Sequence, residues 1–215
     1  HYQHGVALAS AFVLAVGTAR FAPPPGTIMV DVRLPRAYAA CHLLGASSIP
    51  LAELTPRLFE LPAPSEDELA VVGADADEAR AACELLEQRG WTVCAVLDAS
   101  DTAAWDAFAA AGWREAPPGS TDSAPSWRAN AFLRAHLDNA LGAAAEEVAR
   151  AAEKPPTLAL ALDLGTGNGR DAVHLAHALE HGGGGCDAWR VLAVDNHRGA
   201  LSRCEALAER ASARV

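Results

Sequence analysis

Ala161-Leu162-Asp163-Leu164-Gly165-Thr166-Gly167-Asn168-Gly169-Arg170-Asp171 is an apolar run ending in an acid, followed by three glycines at alternate positions. The continuation Ala172 to Leu179 carries a helix-like pattern. A strand that stops at a glycine-rich turn and opens a helix puts few side chains between its backbone and a ligand. It also aims the free N–H groups of the helix start at that ligand. The stretch therefore predicts a βα unit that holds a nucleotide-like cofactor against its main chain.

Working outward, the same alternation recurs. After the turn come a helix over Gly169–Glu180, a strand over Arg190–Asp195 and a helix over Gly199–Arg214, with a glycine-rich loop over His181–Asp187. Before it, Thr157–Leu164 reads as a strand. Trp127–Glu153 reads as a long helix, broken or bent near Gly142 and stopped by Pro155-Pro156. Toward the N-terminus, Thr27–Arg33, Leu69–Val72 and Thr92–Leu97 are short β-branched runs. They alternate with helical stretches Asp77–Arg89 and Thr102–Ala111, closed by Gly90 and Gly112. Such alternation predicts an α/β chain with mainly parallel sheets.

The turn-rich segment Ala116–Ser126 lacks an apolar pattern and reads as a linker. The organisation expected is an apolar leader or clipped upstream segment at 1–26, a first domain at 27–115, the linker at 116–126 and a second domain at 127–215. The sequence begins at His1, and its run Gly5–Ala19 is too short to span a bilayer. It reads as a piece of a longer protein or, less simply, as a targeting remnant.

Charge and cysteine usage narrow the function. The chain of 215 residues carries a net charge of −10, and residues 1–126 hold 16 acids against 7 bases. That surface disfavours nucleic acid, whose binding rests on Lys and Arg neutralising phosphates. Trp91, Trp105, Trp113, Trp127 and Trp189 read as core or interface rather than base-stacking platforms. Cys41, Cys83, Cys94, Cys186 and Cys204 form no CxxC pair, which points to reduced thiols in a cytoplasmic setting and to no zinc site. His174, His177 and His181 share a helix face without a matching carboxylate or thiol, so no metal is expected there.

The spacing of the turn separates cofactor classes. A dinucleotide fingerprint needs glycine three places after Gly167, and Arg170 stands there; a phosphate loop needs Gly-Lys-Ser/Thr, which does not follow. The stretch Asp163-Leu164-Gly165-Thr166-Gly167-Asn168-Gly169, with Val191-Leu192-Ala193-Val194-Asp195 after the helix, resembles the class I S-adenosylmethionine-dependent methyltransferases. The resemblance implies a partial Rossmann-like methyltransferase domain, roughly the first half of one, with S-adenosylmethionine as cofactor and a small-molecule methyl acceptor. It assigns cofactor binding to Asp163, Gly165, Thr166, Gly167, Asn168, Gly169, Asp195 and Asn196. Asp163 would act near the cofactor's amino end, Asp195 on the ribose hydroxyls and Asn196 at the edge of the adenine pocket. No catalytic residue follows from it. A half sheet of this kind is expected to expose an apolar face, bind its cofactor weakly and associate.

The first half resembles the rhodanese (sulfurtransferase) family. The residues are Val30-Asp31-Val32-Arg33, then Tyr38-Ala39-Ala40-Cys41-His42-Leu43-Leu44-Gly45-Ala46-Ser47-Ser48-Ile49-Pro50, then Ala81–Trp91 and Trp105. The resemblance implies a rhodanese-like parallel-sheet domain. Counting back from the helix puts Gly73 at the position of the family's nucleophilic cysteine, with Asp75, Asp77 and Glu78 in the loop after it. Persulfide chemistry needs a thiolate, so no sulfurtransferase activity is expected. Cys83, in the helix body, reads as core packing. Such a module would recruit a protein partner or serve regulation. The two readings carried forward are a methyltransferase fused to a non-catalytic rhodanese-like domain and, as the alternative, a docking protein whose glycine turn is vestigial.

Overall fold

The computed structural model describes residues 23, 27–64, 66–110, 112–120, 123–151, 159–182 and 189–215. The leader at 1–26 (Pro23 aside), Lys154, Pro155-Pro156, Cys186 and the glycine-rich loop after residue 182 lie outside these residues, as does the side chain of His181.

Four parallel strands form the first sheet. They are β1 (Ile28–Asp31), β2 (Ser47–Ser48), β3 (Leu69–Gly73) and β4 (Val93–Asp98), in the order β2-β1-β3-β4. In register, Val30 faces Val71 and Asp31 faces Val72, while Val72 faces Leu97 across the other ladder. Among the described residues, four helices belong to this half: α1 (Pro35–Ala40), α2 (Leu51–Arg57), α3 (Ala76–Gln88) and α4 (Thr102–Ala110). A 3₁₀ turn, Leu58–Glu60, follows α2.

The residues of β3 are buried throughout, as a central parallel strand requires when helices cover both faces. Alternation sorts its side chains. Val30, Leu69 and Val71 pack with Leu54, Ala82, Cys83 and Leu86 on the α2–α3 side. Met29, Ala70 and Val72 pack with Tyr38, Ala95, Leu97 and Phe108 on the α1–α4 side.

The second sheet is smaller. β5 (Ala159–Leu164) and β6 (Trp189–Val194) pair in parallel, with Ala161 opposite Val191 and Leu164 opposite Val194. The helices here are α5 (Ala131–Ala151), α6 (Arg170–Gly182) and α7 (Arg198–Arg210). One face of the pair packs on α6 and α7 through Ala172, Ala176, Leu179, Val191 and Cys204. The other face presents Leu160, Leu162, Leu164, Leu192 and Val194 to solvent.

Two expectations change. The long helix begins at Ala131, with Trp127 buried ahead of it, and it runs through Gly142 to Ala151 without a break. A mid-helix glycine costs roughly 1 kcal/mol relative to alanine, too little to end a helix this long. The segment at 116–126 is tied down along part of its length. The Ser47 hydroxyl donates to the Ala124 carbonyl (2.5 Å), the Ser48 N–H to the Ser123 hydroxyl (2.8 Å) and the Ser126 hydroxyl to the Glu60 carbonyl (2.9 Å). Its polar residues find partners on the first half, a choice that composition does not reveal. No helix among the described residues is long and apolar enough to cross a membrane.

Candidate functional site

The glycine turn sits where β5 ends and α6 begins. Gly165, Gly167 and Gly169 all have positive φ (77°, 55° and 83°), a region that side-chain-bearing residues rarely adopt. The reasons for glycine differ. A Cβ on Gly169 would lie 2.4 Å from the Cys204 sulfur and 2.8 Å from that residue's Cα, so close packing on α7 demands glycine. A Cβ on Gly165 would meet nothing within 4 Å, so the turn is open there.

The turn is stitched to the next strand. The Gly165 and Thr166 N–H groups donate to the Val194 carbonyl at 2.7 and 3.1 Å. The Thr166 hydroxyl donates to Asp163 at 2.6 Å. Asp195, just past β6, accepts from the Gly167 N–H (3.0 Å) and the His197 N–H (2.8 Å). Those backbone donors, His197 first and Gly167 next, hold its carboxyl below the ordinary carboxylate range. Asn168 accepts from the Arg203 guanidinium at 2.6 Å. Seven of the eight residues singled out by sequence thus form one hydrogen-bonded turn. The eighth, Asn196, is exposed beside Asp195.

Sequence reasoning missed three contributors. Arg203 lies 35 positions beyond the Asn168 it holds, and His197 gives its N–H to Asp195 two positions before it, with no motif to mark either. The third is a shallow groove beside the turn, lined by Asn130, Phe132, Leu133, Leu162, Asp163, Asp171 and Leu175. The start of α5 forms one wall of it, and the Asp171 carboxylate accepts from the Asn130 N–H at 2.6 Å.

The turn after β3 is built differently. A Cβ on Gly73 would lie 2.5 Å from the Ala79 backbone nitrogen and 2.7 Å from its Cα. Asp75 caps α3 by accepting from the Glu78 N–H (2.8 Å), and the Glu78 carboxylate accepts from the Ala74 N–H (2.7 Å). The chain's own carboxylates fill this loop. Cys83 points into the core. Burial, aided by Glu87 and Glu84, pushes its thiol up to about 12, which leaves it un-ionised at neutral pH.

The signature residues Asp31, Arg33, Tyr38 and His42 of the first half make structural contacts. Arg33 grips Asp31 with Nε (2.9 and 3.1 Å) and Nη2 (2.6 Å), and Nη2 also donates to the Cys41 carbonyl (2.7 Å). Both side chains are buried, which ties the end of β1 to the exit of α1. His42 stacks on Tyr38 at 3.8 Å, and the Tyr38 hydroxyl donates to the Ala46 carbonyl. Among the described residues, no three His, Cys, Asp or Glu side chains converge as a metal site.

Comparison with known proteins places part of this architecture. The Rhodanese-like domain family matches residues 20–107. Among solved structures, the Alr3790 protein of Anabaena sp. is 24% identical over 43% of this chain and 70% of that one, with a TM-score of 0.36. A rhodanese from E. coli is 28% identical over 34% of this chain and 84% of that one, with a TM-score of 0.28. The thiosulfate sulfurtransferase of Pseudomonas aeruginosa is 20% identical over 87% of this chain and 33% of that one, with a TM-score of 0.35. No curated protein matches. With its β2-β1-β3-β4 parallel sheet and the matched stretch at 20–107, the first half of the chain is a rhodanese-like domain.

Proposed function

We propose that the chain binds S-adenosylmethionine at the Asp163–Gly169 turn and serves methyl transfer to a small-molecule acceptor, with the rhodanese-like domain in a non-catalytic role. The observation that carries the reading is the turn itself. Three positive-φ glycines place an open backbone stretch at Gly165 beside an Asp195 carboxylate at the tip of the next strand. The residues fit such a cofactor. The open side of Gly165 admits close approach, and the half-buried, ionised Asp195 can accept hydrogen bonds from a pair of ribose hydroxyls. Asp163 stands on the strand side of the turn for the amino end, with Thr166 oriented on it. Gly167, Asn168, Gly169 and Asn196 frame the same end of the sheet. Bound there, S-adenosylmethionine supplies an electrophilic methyl on a sulfonium. The protein's share is to fix the cofactor and exclude water, since positioning dominates an in-line transfer.

For the first half, Gly73 stands in the position of the sulfurtransferase nucleophile, and no thiolate replaces it. The neighbouring loop is filled by Asp75 and Glu78, and Cys83 stays a buried thiol. A thiosulfate:cyanide assay is therefore expected to be blank.

The alternative, a docking protein with a vestigial turn, draws on one observation. Asp163, Asn168 and Asp195 all have partners within the chain. Calorimetric titration with S-adenosylhomocysteine separates the two. Binding is expected, and Asp195→Ala should weaken it about 10- to 100-fold, the worth of charge-assisted hydrogen bonds. Absence of heat with the wild-type chain, or an affinity untouched by Asp195→Ala, would overturn the cofactor reading.

A further inference from the structure

Arg170 occupies the first position of α6, directly after Gly169, yet its guanidinium turns away from the turn's open side. Its Nη2 donates to the Phe59 carbonyl (2.9 Å) and to the Leu61 carbonyl, both on the rhodanese-like domain. Burial lowers its pKa, with Glu66 and Asp171 opposing, and its Nε is buried with no acceptor among the described residues. Committing a guanidinium this far from water marks a fixed contact rather than a chance surface pairing.

A second contact grips the same 3₁₀ turn. Glu60 is buried between Arg57 (2.7 Å) of its own domain and Arg210 (2.6 Å) at the end of α7. The Arg210 guanidinium also lies 5.7 Å from the Phe59 ring centre. An apolar seam completes the junction, with Trp127, Val173, Leu207 and Ala208 packed together against Phe59. The turn 58–61 therefore holds the start of α6 and the end of α7 at once. Those two helices hold the glycine turn between them: Gly169 is pressed on Cys204 of α7, and Asn168 is held by Arg203 of α7.

We propose that the docking partner of the rhodanese-like domain is the glycine-turn half of its own chain, and that Arg170 is the positioning residue through which the 58–61 turn sets the shape of Gly165–Gly169. The consequence for affinity rests on the cofactor reading above; the clamp on the turn does not.

The test is amide hydrogen exchange on the full chain, with and without S-adenosylhomocysteine. Arg170→Ala is expected to speed exchange at Gly167 and Gly169 about tenfold, while Val71 in β3 keeps its rate. It should weaken S-adenosylhomocysteine by a similar factor, and Arg170→Lys, which keeps a cation able to reach both carbonyls, should restore most of each effect. Glu60→Gln provides a second, milder break with the same pattern. Unchanged exchange at the two glycines in Arg170→Ala overturns the proposal. So does an equal rise at Val71 in both variants, which would reduce the junction to general stability. Faster glycine exchange in a protein whose wild type ignores S-adenosylhomocysteine supports the clamp and removes the cofactor reading.

Discussion

The glycine turns after β3 and β5 end similar strands and open similar helices, yet the first glycine of one is hemmed in and that of the other faces open space. After β3, Gly73 has the Ala79 backbone within 2.5 Å of its missing Cβ, and the loop N–H groups of Ala74 and Glu78 are taken by the chain's own carboxylates. After β5, Gly165 faces empty space, with the half-buried Asp195 near it at the tip of the next strand. The sheets differ in the same sense. β3 is buried on both faces, whereas β5 and β6 are covered on one. A strand–glycine–helix unit thus has no function by itself. In both turns the N–H groups find partners within the chain, so the space beside the first glycine and what covers the sheet decide whether such a unit is packing or a site.

The largest expected effect breaks the contrast between the sheets. Leu69→Ala, in the covered sheet, should cost about 2–5 kcal/mol of stability, read as a lowered urea midpoint at unchanged slope. Leu164→Ala, on the open face, should move that midpoint by less than about 0.5 kcal/mol. A large loss at Leu164 would mean that the face is covered in solution.

Next come the glycines. Gly73→Ala drives a Cβ into backbone and is expected to cost about 1–3 kcal/mol or more. Introducing a thiol with Gly73→Cys should destabilise likewise without producing thiosulfate:cyanide turnover; activity there would show the loop to be more adaptable than its geometry states. Gly165→Ala meets no neighbour, so only its φ of 77° is penalised, about 1–2 kcal/mol. Thermal melts of the two alanine variants side by side sharpen the distinction between a packed and an open turn.

The smallest effect is in pH. Backbone N–H donors from His197 and Gly167 depress the Asp195 pKa, so the carboxylate stays charged as pH falls and protonates only below the ordinary carboxylate value. A group with a depressed folded pKa loses its contribution on the acid side. S-adenosylhomocysteine affinity should therefore be level from neutrality down to about pH 4 and fall below it. A fall in affinity that begins well above about pH 4 would instead assign the pH dependence to a group other than Asp195.

Local patterning made most of the fold legible. The short β-branched runs at Thr27–Arg33, Leu69–Val72 and Thr92–Leu97 hold the strands Ile28–Asp31, Leu69–Gly73 and Val93–Asp98, and Gly90 and Gly112, both at positive φ, close helices as breakers should. Asp163, Thr166, Gly167, Asn168 and Asp195 do come together, because 32 positions of β-α-β bring the ends of neighbouring parallel strands side by side. Trp127 lies ahead of the helix that its local pattern predicts, yet packs with Val173 and Leu207 as a core or interface tryptophan should. Arg170 was legible only as the residue that excludes a dinucleotide fingerprint. Its role at the junction depends on carbonyls more than 100 positions away.

The sequence by itself determined the alternation of strands and helices, the rhodanese-like character of the first half and the spacing of the glycine turn. Each rests on interactions between near neighbours: periodicity, breakers and positive-φ glycines. Only the tertiary structure decided that Gly73 is hemmed in while Gly165 is open, that Asp195 leans on Gly167, and that the 58–61 turn grips α6 and α7. Those outcomes are contacts between distant segments, and their existence depends on which surfaces the folded chain presses together.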